Sequence, residues 1–135
     1  ICAAISDNNS NIDFFIDHKL APINTLDKSM QKKMSSVFFK NMKIQKVKTQ
    51  TLKDLDKNLF LLNKTDFLNI DVEGFDYKVL KQINLKESKI KLASIETHHP
   101  DGAKNNDSEA IFNYLDDNKY EIYKRIGPTT LFKKK

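Results

Sequence analysis

Phe75, Val79, Leu80 and Ile83 recur at helical spacing with Asp76, Lys78 and Lys81 on the opposite, solvated face, which predicts an amphipathic helix over 75–83. Just before it, Phe67-Leu68-Asn69-Ile70 reads as a short strand that runs into Asp71-Val72-Glu73-Gly74, so a strand end delivers two carboxylates into a turn that opens a helix. A strand feeding a helix directly is half of a βαβ unit. The arrangement repeats at 91–100, where Leu92-Ala93-Ser94-Ile95 again ends in ionisable groups, Glu96, His98 and His99, ahead of Pro100. Crossovers between parallel strands are right-handed and mostly link neighbours, so these two strands are expected side by side, about 4.8 Å apart. Asp71, Glu73, Glu96 and His98 would then share one crevice beyond the carboxyl ends of the strands, where open α/β sheets bind their ligands.

The rest of the chain supplies further elements. Segments 1–6 and 12–16 read as a hairpin around Asp7-Asn8-Asn9-Ser10. Residues 17–41 have no clean period and suit a substrate-facing lid or a poorly ordered excursion, part of which packs through Phe38 and Phe39. A strand is expected over 43–49, and Thr51 is placed to cap a helix that carries Asp54 in its first turn and Leu52, Leu55, Leu59 and Leu62 as its buried stripe. A further helix over 107–117 has Asn106 or Asp107 as its cap, Ile111, Tyr114 and Leu115 facing inward, and Asn118 as a left-handed stop. Strands at 120–124 and 130–132 should pair across a Gly127-Pro128 turn. The chain thus divides into a hairpin and loop over 1–42, core strand-helix units over 43–118 and a terminal hairpin over 119–135.

Composition narrows the class. A chain of 135 residues suits one domain and buries roughly 68% of its unfolded surface. With 39% hydrophobic and 30% charged residues it reads as folded and not disordered. Its apolar runs, such as 59–62, fall far short of the roughly 18 residues of a membrane span. The lone Cys2 excludes an internal disulfide and any Cys-rich metal site, which fits a reducing cytoplasm, and it reads as a small core residue. The net charge of +5 does not imply specific nucleic-acid binding, because the lysines are scattered among acidic residues.

The run 66–80, Asp66-Phe67-Leu68-Asn69-Ile70-Asp71-Val72-Glu73-Gly74-Phe75-Asp76-Tyr77-Lys78-Val79-Leu80, resembles the D-x-x-K-I-D-V-E-G-x-E-x-x-V-L signature of the FkbM-type methyltransferases. Thr49-Gln50-Thr51-Leu52-Lys53-Asp54-Leu55 is similar to that family's T-x-T-L-D-x-L segment, Ile95-Glu96-Thr97-His98 to its following strand, and Ala3-Ala4-Ile5-Ser6-Asp7 to its A-A-I-S-D approach to a β-hairpin. The likeness covers nearly the whole chain and departs mildly at Asn69, where the family often has Lys, and at Asp76, where it often has Glu. It implies a class I methyltransferase fold: a Rossmann-like α/β three-layer sandwich, mostly parallel, with an antiparallel C-terminal hairpin. It also implies S-adenosylmethionine as cofactor and a hydroxyl of a sugar, glycolipid or natural product as acceptor.

A Gly-rich cofactor loop and a ribose-binding acid, which such folds carry after their first two strands, are missing. Gly74, Gly102 and Gly127 are too far apart to form a G-x-G-x-x-G turn. The chain therefore reads as an N-terminally truncated domain, with the strand that would pair beside 67–71 absent and an apolar edge exposed. Under this resemblance Glu96 or His98 serves as general base, Asp71 positions the acceptor or the sulfonium end of the cofactor, and Glu73 stands with Asp71 on the cofactor side. Purely structural roles remain open for Asp71 as a cap of the following helix and for Glu73 as a partner of first-turn amides. Two other functions also stay open. Asp71, Glu73, Glu96 and His98 offer oxygen and nitrogen ligands for a metal-dependent hydrolase, although no dedicated metal motif is present, and the chain could be a non-catalytic binding fragment.

Overall fold

The computed structural model describes residues 4–16, 43–59 and 62–135. The expected lid at 17–41, the Cys2 thiol and the side chain of Leu59 lie outside the described residues.

Strands β1 (Ala4–Ser6), β2 (Asn11–Ile16) and β3 (Lys43–Thr51) form one sheet in the order β1-β3-β2. The first two strands were expected to pair as a hairpin. Instead β3 lies between them, parallel to β1 (Ile5 opposite Gln50) and antiparallel to β2 (Asp13 opposite Lys46). The connection Asp7-Asn8-Asn9-Ser10 is occupied by β3 and the helix after it. The Thr49 hydroxyl donates to the Asn8 carbonyl at 2.8 Å, and Asn9 accepts from the Thr51 amide at 2.9 Å while donating to Asp54 at 2.6 Å. Polar residues that could have closed a tight turn are used to hold a third strand.

Helix α1 (Leu52–Leu59) starts as expected, with the Asp54 amide donating to the Thr51 hydroxyl at 3.1 Å. A single 3₁₀ turn, Leu62–Lys64, leads into β4 (Phe67–Ile70), and α2 (Asp76–Leu80) follows the acidic turn. The helix is shorter than its apolar spacing suggested, because Lys81 to Ile83 continue as turns, yet Phe75, Val79, Leu80 and Ile83 are all buried. Strand β5 (Leu92–Glu96), helix α3 (Ser108–Asp117) and strands β6 (Tyr120–Ile126) and β7 (Thr129–Lys134) complete the chain.

The second sheet has the order β4-β5-β7-β6. β4 and β5 run parallel, with Ile70 opposite Ile95, while β7 is antiparallel to both of its neighbours. The terminal hairpin is as expected. A mostly parallel sheet is not what the described strands form: two of their five pairings are parallel and three antiparallel, so the architecture is α/β with two mixed sheets. β4 stands at one edge, where Phe67 is 52% exposed.

The core packs Ile70, Ala93, Ile95 and Phe132 of this sheet against Leu80, Ile83, Ile111 and Leu115. Gln82, just beyond α2, ties that helix to α1 and to the first sheet, accepting from the Leu52 amide at 2.9 Å and donating to the Ser6 carbonyl at 3.0 Å and to the Lys78 carbonyl at 2.9 Å. At the end of α3 the left-handed residue is Lys119 (φ 66°) and not Asn118, whose φ is −95° and whose amide side chain donates to the Tyr114 carbonyl. No helix among the described residues is long and apolar enough to cross a membrane.

Candidate functional site

The parallel pairing of β4 with β5 sets Asp71 and Glu96 at adjacent strand ends, as the chain order required. Asp71 follows Ile70 and stands exposed at the rim, whereas Glu96 is the last residue of β5 and is half-buried. Between them the chain turns sharply. Glu73 takes a left-handed conformation (φ 49°) that few non-glycine residues adopt, and Gly74 (φ 94°) continues the turn at no steric cost. This backbone folds the Glu73 side chain back among the other acids.

The electrostatics of the group follow from that crowding. Burial first, and then the charges of Asp71, Glu96 and Asp76, push the Glu73 carboxyl up to about 7. Burial and the Asp71 charge raise Glu96, against a smaller opposing effect of His99. Asp76, expected on a solvated helix face, is only 3% exposed. Its Oδ2 accepts from the Gly74 amide at 3.3 Å, and its Oδ1 has no hydrogen-bond partner. Burial lifts Asp76 to about 6, partly offset by the nearby amides of Asp76, Gly74 and Val72. A carboxylate that is nearly fully enclosed with one bare oxygen is costly to keep charged, and such groups concentrate where a cationic or proton-bearing ligand is handled.

His98 does not join these acids. Its ring is buried, packs edge-on to Phe112 with centroids 6.3 Å apart, and has its Nδ1 2.8 Å from the Thr97 hydroxyl, which is itself 2.6 Å from that of Thr130. Its charged neighbours are Arg125 and Lys104. Strict alternation would set His98, two residues on, on the face of Glu96. Beyond β5 that alternation breaks, the Thr97 and His98 amides both bonding to the Pro128 carbonyl, so His98 packs on Phe112 of α3 and it is the exposed His99 whose charge acts on Glu96. The structure therefore brings Asp71, Glu73 and Glu96 within electrostatic reach of one another, adds Asp76 to them, and leaves out His98. The sequence signal for Asp76 was its position two residues beyond a glycine at a helix start, where a short carboxylate can reach back to turn amides.

Beside the acidic turn lies a cleft of about 470 Å³ lined by Ser6, Asp7, Asn8, Asp13, Phe75 and Lys78 among others. The Lys78 ammonium sits 4.0 Å from the centre of the Phe75 ring, and Asp13 is paired with Lys46 at 2.7 Å across the far wall. The cleft thus joins an aromatic surface to several polar side chains, a usual composition for a small-molecule site. Among the described residues no three His, Cys, Asp or Glu side chains are grouped as a metal ion would need.

In a comparison with protein families, residues 1–122 match the model described as "Methyltransferase FkbM domain". Comparisons with curated proteins and with solved structures find no match.

Proposed function

The chain belongs to the FkbM methyltransferase domain family, and on that premise we propose that it serves methyl transfer from S-adenosylmethionine to a hydroxyl oxygen of a sugar, glycolipid or natural-product acceptor. The gathering of Asp71, Glu73, Asp76 and Glu96 at the ends of β4 and β5 supports this most directly. The cofactor, when bound, brings a methyl group already activated by its sulfonium charge. What remains for the protein is to align the acceptor oxygen and to take its proton, and alignment alone can be worth several kcal/mol.

The residues present suit a cationic cofactor. Four crowded carboxylates, one with an orphaned buried oxygen, form a region of negative potential that a positive group relieves. Asp71 and Glu73 are assigned to that cofactor side, and the adjoining cleft offers the Phe75 ring and the Asp7 and Asn8 side chains to a flat, hydrogen-bonding ligand. Glu96 is assigned the acceptor's proton, because its raised affinity brings it nearer the pH at which a base can both accept and release. Asp71, exposed at the rim, is also placed to orient the acceptor through its other hydroxyls. His98 faces the other way and receives no part in the proton transfer.

Transfer of labelled methyl from S-adenosylmethionine to a panel of sugars and glycolipids tests this function. Glu96→Gln should lower the rate by about 10² to 10⁴ while retaining cofactor affinity, the usual contribution of a positioned base. Undiminished transfer in a variant carrying both Glu96→Gln and Asp71→Asn would remove these roles.

A further inference from the structure

The segment that follows β5 carries charge of the opposite sign on its other side. After Glu96 the chain bonds to the β6–β7 turn through the Thr97 and His98 amides, both 3.0 Å from the Pro128 carbonyl. It then reverses within a short loop, closed by the His99 amide on Ala103 and the Gly102 amide on His99, so that His98 and Lys104 lie opposite each other as an antiparallel pair. Phe112 of α3 supports both, with the Lys104 ammonium 5.4 Å from its ring centre on one side and the His98 ring packed on another. Arg125 reaches over the same loop from β6. Its Nη2 lies 4.0 Å from where a side chain on Gly102 would begin.

Three nitrogen-bearing side chains from three separate stretches of chain therefore meet beside one loop. Among the described residues neither Lys104 nor Arg125 has a carboxylate within ion-pair distance. The acid of the loop itself, Asp101, accepts from the Ala103 amide at 3.0 Å. Glu96 faces Asp71, Glu73 and His99 instead. Burial, Arg125 and Lys104 all lower the proton affinity of His98, which leaves a neutral imidazole between two fixed cations. Such a set repels a third positive charge and attracts a compact negative one. A guanidinium fork with a neighbouring ammonium is the usual means of holding an oxyanion.

We propose that His98, Lys104 and Arg125 form a binding site for an oxyanion, a phosphate or a carboxylate, borne by the methyl acceptor. The identity of the bearer rests on the proposed methyl transfer, whereas the anion site itself does not. Its place fits an acceptor subsite: Glu96 and His98 are two residues apart on one extended segment, so an anionic group held on the His98 side leaves a nearby hydroxyl within reach of Glu96. The acids exclude the anion from their own side, and the same loop thereby fixes which way round the acceptor lies.

The test is a titration of isotope-labelled protein with inorganic phosphate and, separately, with acetate, read by NMR at the His98 ring and the Gly102 amide. A saturable shift of both signals is expected. Affinity should fall about tenfold or more in the Lys104→Gln, Arg125→Gln double variant, as loss of charge-assisted hydrogen bonds requires. Preference for phosphate would assign a phosphoryl-bearing acceptor, and preference for acetate a carboxylate-bearing one. No saturable shift with either anion, or identical shifts in the double variant, would overturn the site. Calorimetry of S-adenosylmethionine with the unsubstituted protein is read independently. Absence of cofactor binding there would count against methyl transfer and leave the anion result standing.

Discussion

Replacing Asp76 by Asn isolates the cost of burying a carboxylate in the acidic turn. Asp76 is 3% exposed, and its carboxyl rises from an ordinary 3.8 to about 6. That rise means that folding with the group charged costs about 3 kcal/mol more than folding with it neutral. The folded value lies above the unfolded one, so the native chain binds the extra proton between the two. The stability that comes with the protonated form is complete below the unfolded value and is lost as pH climbs through about 6. Asn cannot ionise, yet it keeps a carbonyl oxygen for the Gly74 amide. Its amide hydrogens lack an obvious acceptor, a penalty that is the same at every pH and cancels when two pH values are compared. Urea unfolding followed by far-UV circular dichroism at about pH 4.5 and about pH 8 should show the variant gaining about 2 kcal/mol on the parent between them. Parallel loss of stability by both proteins across that range would refute the assignment of the buried charge to Asp76. Glu73 titrates with it and slopes the same way, so some pH dependence is expected to survive in the variant.

Other consequences are more quickly stated. Gly74→Ala places a side chain at φ 94°, which should cost about 1 to 2 kcal/mol of unfolding free energy, read as a lower denaturant midpoint, and weaken cofactor binding together with it, whereas an unchanged midpoint would mean that the turn relaxes freely. Leu80→Ala removes a fully buried side chain from the centre of the core and should cost about 2 to 5 kcal/mol in equilibrium unfolding. Since Glu73 sheds its proton near 7, affinity for the cationic cofactor should rise as pH passes that value, and calorimetry should find the step gone in Glu73→Gln. A step of equal size in that variant would detach Glu73 from the cofactor side.

The parts of the fold that were legible in the sequence are those fixed by neighbours along the chain. The two strand ends meet because one helical crossover separates them, and this local rule brought Asp71, Glu73 and Glu96 together before any side-chain contact was known. The β6–β7 hairpin was equally readable from Gly127-Pro128, and the Thr51 cap from its distance to Asp54. The hairpin expected of β1 and β2 failed for a physical reason. A turn sequence states only that the chain reverses, whereas β3 enters from some forty residues away, and its Lys-rich, poorly alternating sequence gives no hint of a partner on each side. Non-local pairing of that kind is decided by the whole sheet.

His98 and Asp76 show the same limit at the scale of single side chains. His98 lies two residues from Glu96 and Asp76 three from Glu73, groups that do converge, and both were misplaced because nearness along the chain does not say which face a side chain takes. For His98 the deciding contacts are Phe112 of α3 and the neighbouring Thr97 hydroxyl, itself held by Thr130 of β7. For Asp76 they are the amides of its own turn, available only because Glu73 and Gly74 accept positive φ. The half-buried Glu96 and the buried His98 meet different neighbours because strand alternation breaks just after β5, where the Thr97 and His98 amides both bond to the Pro128 carbonyl. That break lets one short stretch set Glu96 among the acids on one side and His98 beside the cations Lys104 and Arg125 on the other. An acceptor carrying its own anion would be oriented by this asymmetry before any shape-specific contact is made, and a neutral acceptor would have to be oriented by the walls of the site alone.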